Sequence, residues 1–301
     1  MTAQRRRAAG GAEGFETMKI EKLDLSEKRA EMIISDVEPH LINAFRRTLI
    51  VDVPKMALDK VEIHLGAISD DKGKTYESTT PLFDEIISHR LGMVPVPTDS
   101  EALLNGHLKR QDECDCAGAG CPNCQIMYSL NKRGPATVYS EDLEPLGDEK
   151  LRPIDKKIPI VKLTEDEGIL IYAIAHLGTG SDNARWQAVH AAGYRPIPEI
   201  TIDQKKVKDP ERVAANCPRD VFSISKKALK VQNPEDCILC RTCEHEDIGG
   251  KDAIKVNADT TRYRFKFETD GSVDPKTAII YALNVLDAKY NEFQETLAGL
   301  K

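Results

Sequence analysis

Cys237, Cys240 and Cys243 form a C-x2-C-x2-C run, and Cys217, followed by Pro218, stands twenty residues ahead of it. Thiolates at that spacing wrap three corners of an iron–sulfur cube, and a remote Cys-Pro supplies the fourth. Structural zinc prefers paired C-x2-C hooks, so this arrangement points to an iron–sulfur cluster rather than a zinc knuckle. A [4Fe-4S] cluster uses all four residues and is favoured; a [3Fe-4S] form needs only the triad. A second group, Cys114, Cys116, Cys121 and Cys124, packs four thiols into eleven residues among Gly and Ala. Small residues permit tight turns, and four thiolates close a tetrahedral Zn²⁺ site that leaves no open position for catalysis. Such a loop has no apolar core of its own, so a bound metal would supply its order; the alternative is a metal-free flexible loop.

The later group can be tested against the two-cluster ferredoxin pattern, in which each triad is followed by a Cys-Pro that ligates the other cluster. A first triad ending in Cys217 would fall at Val207, Pro210 and Val213, and a second Cys-Pro at Asp247 and Ile248. Both sets belonging to one cluster are missing, and the four ligands of the other remain. The segment 205–257 therefore resembles a two-cluster ferredoxin domain reduced to one cluster. VFSI at 221–224 and DAIKV at 252–256 resemble the short apolar segments that follow each half of that fold.

Other chemistries fail on spacing. Gly73-Lys74-Thr75 would need a glycine at position 68 to make a phosphate loop, and Ile68 stands there. Gly178-Thr179-Gly180 lacks the third glycine of a dinucleotide fingerprint and reads as a turn. No Gly-x-Ser-x-Gly, His-Glu-x-x-His or tight Asp-x-Asp-x-Asp group occurs. The seven histidines are scattered. His64 and His176 fall on strands as polar faces or satisfied core groups. His245, just past the triad, could tune a cluster, but exposure is the simpler reading.

The chain has 301 residues, 41% hydrophobic and 30% charged, enough for a sizeable core and about two domains. Its net charge of -7 argues against autonomous nucleic-acid binding. No apolar run approaches the ~20 residues that span a bilayer. No apolar secretory segment precedes the eight cysteines, which favours a reducing cytoplasm and metal-bound thiols over disulfides.

The positioning elements read as follows. Residues 1–17 form a polar tail with Arg5, Arg6 and Arg7, expected to be disordered, and Met18 looks like the start of ordered sequence. MKIEKLDL and RAEMIIS read as strands. Pro39 opens a helix on which Leu41, Phe45 and Thr48 or Leu49 share a face, with Arg46 and Arg47 as a solvated pair. MALDKVEIHLGAI reads as one strand, and PLFDEIISHRLG at 81–92 as a short helix. Strands follow at QIMYSLN, ATVYS, IPIVKL, GILIYAIAHL, PEITID and TRYRFKFET. Asp274 and Pro275 cap a long terminal helix in which Ile279, Leu283, Leu286, Tyr290, Phe293 and Leu297 are spaced 4, 3, 4, 3, 4. That heptad-type seam packs on its own domain or on a partner helix; pattern alone does not choose.

Several of these segments resemble one family in chain order. HLINAFRRTLIVDVPKMALDKVEI at 40–63 resembles the dimerisation helix of the alpha-type subunits of multisubunit RNA polymerases. PLFDEIISHRLGMVPV at 81–96 and AHLGTGSDNARWQAV at 175–189 resemble signatures of the branch that holds the archaeal D-type subunits and the eukaryotic third-largest subunit, with Arg185 where Lys is usual. The 114–124 loop is similar to the zinc loop of the eukaryotic homologue in that branch, with one extra spacer residue. The ferredoxin-like segment is similar to the archaeal type rather than to bacterial alpha.

The resemblance covers residues 18–301 and implies an α+β fold. A discontinuous dimerisation domain (18–64 plus 258–301) would carry an inserted mixed α/β domain (65–204) and a ferredoxin-like iron–sulfur domain (205–257). It also implies a non-catalytic scaffold that heterodimerises with the small subunit L through the 39–51 helix and the terminal seam. The pair would nucleate assembly of subunits N and P and the two large catalytic subunits, with DNA met only through the complex. Arg46 and Arg47, in the Asn43-containing helix motif, would contact a large subunit. The cluster would be structural or redox-sensitive for assembly. Two other readings stand beside this one: an iron–sulfur electron-transfer subunit of an oxidoreductase, and a zinc-dependent DNA-binding factor. The first leaves the alpha-like motifs unexplained, and the net charge weighs against the second.

Overall fold

A computed structural model describes residues 18–69 and 75–300. The expected tail with Arg5, Arg6 and Arg7, and Gly73 and Lys74 of the failed phosphate loop, lie outside the described residues. Strands and helices follow in the order β1 (Lys19–Leu25), β2 (Arg29–Ser35), α1 (Pro39–Val51), β3 (Lys55–Ile63), β4 (Gly66–Ser69), β5 (Thr75–Ser78), α2 (Asp84–Gly92), α3 (Ser100–Leu104), β6 (Gln125–Arg133), β7 (Ala136–Tyr139), β8 (Glu144–Pro145), β9 (Pro159–Leu163), β10 (Glu167–Gly178), β11 (Val189–Ile202), α4 (Pro210–Ala215), β12 (Phe222–Ser225), β13 (Ala228–Val231), β14 (Ile254–Thr269) and α5 (Pro275–Gly299). The class is α+β, as expected. No helix among the described residues is long and apolar enough to cross a membrane.

Four strands make one sheet in the order β1-β2-β14-β11, and a larger sheet runs β4-β5-β10-β6-β8. The larger sheet is built on β10. Ile169, Ile171, Ala173 and Ala175 are fully buried at every second position, while Tyr172 between them is 44% exposed. That alternation is the strand period, and it fixes which face meets the core. Along one edge β10 pairs antiparallel with β6; along the other it meets β5 at its start and β3 over the rest. In β14 the same period buries Tyr263, Phe265 and Phe267.

The chain packs as two units. One holds residues 18–23, 32–41 and 194–265, and the other holds 24–31, 42–193 and 266–300. The first contains an apolar core of Val213, Val221, Phe222, Leu229, Ala253, Ile254 and Val256.

Three elements depart from the sequence reading. The single strand expected through 56–68 breaks into β3 and β4 around Gly66, whose φ of +115° suits glycine. The helix expected at 81–92 begins at Asp84, because Phe83 is extended at ψ 145°. β11 starts at Val189, nine residues before the expected PEITID. Its Gly193, Pro196 and Pro198 hide the alternation, but it lies at the edge of its sheet, where a missing N–H is tolerated.

Candidate metal centres

The 114–124 loop lies between α3 and β6. Its backbone winds through turns in which Ala117 N donates to Cys114 O, Ala119 N to Cys116 O and Cys124 N to Cys121 O, each at 3.0 Å. Ala117, Gly118 and Gly120 take positive φ, which is why small residues occupy the loop. The four sulfur atoms lie within 4.8 Å of one another, with separations of 3.5 Å (Cys114–Cys121), 3.6 Å (Cys116–Cys124) and 3.8 Å (Cys121–Cys124). Four ligands at a Zn–S length of ~2.3 Å in a tetrahedron stand about 3.8 Å apart, so the cage is the size of one metal ion. Burial pushes the Cys124 thiol up to about 12, and the hydrogen bond with the Cys114 side chain brings Cys116 down to about 7. A bound dication would favour the thiolate at all four positions.

Cys217, Cys237, Cys240 and Cys243 line one concavity of about 330 Å³, mouth included, together with Pro218, Val221 and Phe222. Cys217 follows α4, and its N–H donates to Ala214 O at 3.2 Å. Cys237 ends the tight turn at 234–236, and Cys243 lies in the turn at 242–244. Cys217, Cys237 and Cys243 rest against the apolar core of their unit, whereas Cys240 is exposed. Among the described residues the 114–124 group is the one whose ligand atoms gather tightly enough for a single metal ion.

The triad loop holds a costly backbone. Leu239 and Arg241 both sit at positive φ, +57° and +58°. Each such non-glycine residue costs about 1–3 kcal/mol, the kind of strain that surrounds ligand sites. The Leu239 N–H donates to Cys237 Sγ at 3.4 Å, a bond that favours thiolate. Burial pushes Cys243 up to about 12 and raises Cys237, while hydrogen bonding to Thr242 lowers Cys240. Gly249 closes the loop from behind, where a Cβ would stand 2.2 Å from the Cys243 carbonyl oxygen. Two ligand positions of the missing second cluster are given to the apolar core, Val213 at 1% exposed and Val207 packed against it, while Asp247, at the fourth, is exposed.

The expected interface residues divide into two groups. In α1 the buried face is Ile42, Phe45, Thr48 and Leu49, and Leu41 is 42% exposed. Phe45 thus serves this chain's own core, while Leu41 points away from it. Arg46 donates to Asn43 Oδ1 through Nε and Nη2 at 3.2 and 3.0 Å, and Arg47 is exposed. In α5 the buried residues are Pro275, Thr277, Ala278 and Ala282. The seam lies on another face: Ile279 and Leu286 are half-buried, and Leu283, Tyr290, Phe293 and Leu297 are exposed.

His245 and His64 are exposed. His176 is buried, yet neither ring nitrogen makes a hydrogen bond, and Asp59 Oδ2 stands 3.5 Å from Nδ1. The satisfied core histidine expected at this position is therefore not what the fold builds. Arg195 and Arg264, which contact the cysteine loop, carried no sequence signal. They are isolated arginines on strands, and only the fold brings them to the loop.

The sequence profile of the RNA polymerase Rpb3/Rpb11 dimerisation domain matches residues 31–290. A DNA-directed RNA polymerase subunit Rpo3 from Thermoplasma volcanium is 36% identical over 281 residues, covering 93% of this chain and all of the relative. The protein of that name from Picrophilus torridus is 34% identical over 279 residues, covering 93% of this chain and 99% of the relative. The one from Methanosarcina acetivorans is 35% identical over 287 residues, covering 94% and 100%.

Proposed function

Because the chain belongs to the RNA polymerase Rpb3/Rpb11 dimerisation-domain family, we propose that it is a non-catalytic assembly subunit of a DNA-directed RNA polymerase, of the archaeal D type. The observation that carries this reading is the row of exposed apolar residues on α5, Leu283, Tyr290, Phe293 and Leu297, on a helix whose other face is already buried. An apolar seam of this length in water is a partner's half-interface. Its partner is the small subunit L, and the pair recruits subunits N and P and the two large catalytic subunits. The dimerisation domain is 18–64 with 258–301, carrying 65–204 and 205–257 as insertions, and Arg46 and Arg47 contact a large subunit. The protein works in the cytoplasm and meets DNA through the complex.

Cys114, Cys116, Cys121 and Cys124 hold zinc, a reading supported by the ion-sized cage. Cys217, Cys237, Cys240 and Cys243 hold one iron–sulfur cluster, [4Fe-4S] when all four ligate, supported by their convergence on one concavity and by the ligand spacing. The cluster locks the insertion and makes assembly sensitive to oxidation. The electron-transfer alternative has no support in the family match or in the relatives' names.

The test is to tag the full chain in its source cells, purify it without oxygen and identify what accompanies it. Recovery of the large polymerase subunits with L, N and P is expected. Redox enzymes in their place would overturn the assignment. Replacing Cys237 and Cys240 with Ser should reduce recovery of the assembled enzyme; undiminished assembly would remove the cluster's role in it.

A further inference from the structure

The cysteine triad is tied to the sheet at one backbone atom. The carbonyl oxygen of Glu235, two residues ahead of Cys237, accepts from Arg195 Nη2 at 2.6 Å and from Arg264 Nη1 at 3.1 Å. Arg264 Nη1 also donates to Asp236 Oδ1 at 2.9 Å. Arg195 lies on β11 and Arg264 on β14, which are neighbours in one sheet. Next to them, Tyr194 and Tyr263 meet edge to face at 5.6 Å, and the two arginines converge on the carbonyl from diagonal positions on antiparallel strands. The bonded carbonyl belongs to the turn at 234–236, where Cys237 N donates back to Pro234 O at 3.2 Å. Moving the carbonyl therefore moves the thiol. Lys22 of β1 adds a looser tie, 3.7 Å from Glu235 Oε2.

Two guanidiniums sharing one neutral carbonyl repel each other, and both are half-buried. Burial and the charges of Arg264 and Arg219 disfavour the charged form of Arg195, and the groups that act the other way are Asp236 and Cys237. A cluster bound by four thiolates carries net negative charge and would favour the charged guanidinium further.

We infer that Arg195 and Arg264 form a clamp that positions Cys237 for the cluster and keeps fixed positive charge beside it. The inference rests on the cluster reading given above. Positive charge beside a cluster stabilises its reduced form, so the clamp raises the reduction potential. By pinning the cysteine loop to two strands of the sheet, it also slows loss of the cluster.

The test uses the full chain prepared without oxygen, as wild type, Arg195→Met and Arg195→Lys. Each is assayed for iron and sulfide per chain, for far-ultraviolet circular dichroism, for midpoint potential, and for the lifetime of the cluster absorbance in air. Arg195→Met is expected to fold, to show a lower midpoint, and to lose its cluster in air several-fold faster, with Arg195→Lys intermediate. A folded Arg195→Met chain without iron, beside an iron-bearing Arg195→Lys chain, also supports the clamp. Wild-type potential and lifetime in Arg195→Met would overturn it. So would loss of fold, or wild-type-like behaviour, in both variants, since that leaves Arg195 no role toward the cluster. A wild-type chain lacking iron and sulfide would sink the cluster reading itself, and that is read before any variant is made.

Discussion

Gly178 and Trp186 lie so close that a Cβ on the glycine would stand 2.5 Å from the indole Cδ2. The indole N–H donates to the His176 carbonyl at 3.0 Å, fixing the ring across the end of β10. Gly180 makes a similar approach to backbone, where a Cβ would stand 2.4 Å from Ile50 O. The Gly-x-Gly…Ala-Arg-Trp segment is thus a packing device, and its glycines are set by space rather than by phosphate chemistry.

Gly178→Ala and Gly180→Ala should each destabilise the chain by about 1–3 kcal/mol through overpacking. Gly180→Ala should cost more, because a helix carbonyl yields less readily than a side chain. Urea unfolding followed by the fluorescence of the sole tryptophan, Trp186, reads both. Unchanged midpoints would refute the packing account.

Burial of His176 lowers its pKa below the ordinary 6.5, with Lys60 acting in the same direction and Asp59 opposing. The folded chain therefore binds fewer protons at this site than the unfolded chain. The stability that comes from the neutral imidazole is present above pH ~6.5 and is lost as pH falls through the lower folded value. Melting temperatures at pH 7.5 and 5.5 should drop less in His176→Gln than in wild type. Equal drops would show that other groups govern the acid limb.

Zinc uptake by the metal-free 114–124 loop must displace protons. Cys116 titrates at about 7, and buried Cys124 at about 12 when metal-free. Apparent affinity should therefore climb as pH rises from 6 to 8, with protons released on binding. Competition with a chromophoric chelator measures this, and a pH-independent affinity would rule out thiolate ligation. Cys124→Ser should abolish stoichiometric zinc.

On α5, Leu283→Glu and Phe293→Glu alter residues that are 42% and 62% exposed, so the isolated chain should keep its stability to within about 0.5 kcal/mol. Recovery of the partner subunit should fall sharply. Ala282→Glu, on the fully buried face, should unfold the helix packing instead. Normal partner recovery with both seam variants would show that the seam is not the interface.

Where ligands are local in the chain, spacing alone foretold which side chains converge. Four cysteines within eleven residues form an ion-sized cage because short turns leave the sulfurs nowhere else to go. Helix α5 and the alternation of β10 were legible for the same reason, since period is a local property. Phase was less secure. The period put Leu41 and Phe45 on one side of α1, but it did not say that Ile42, one residue or about 100° of helix further on, joins Phe45 in the core while Leu41 stays exposed; only packing shows that. The first half of β11 escaped notice because its ladder is supplied by a neighbouring strand rather than by its own glycines and prolines. The Arg195–Arg264 clamp was invisible for the deepest reason: its partners are tens of residues apart. No periodicity links them, and only the pairing of β11 with β14 brings two unremarked arginines onto one carbonyl beside Cys237.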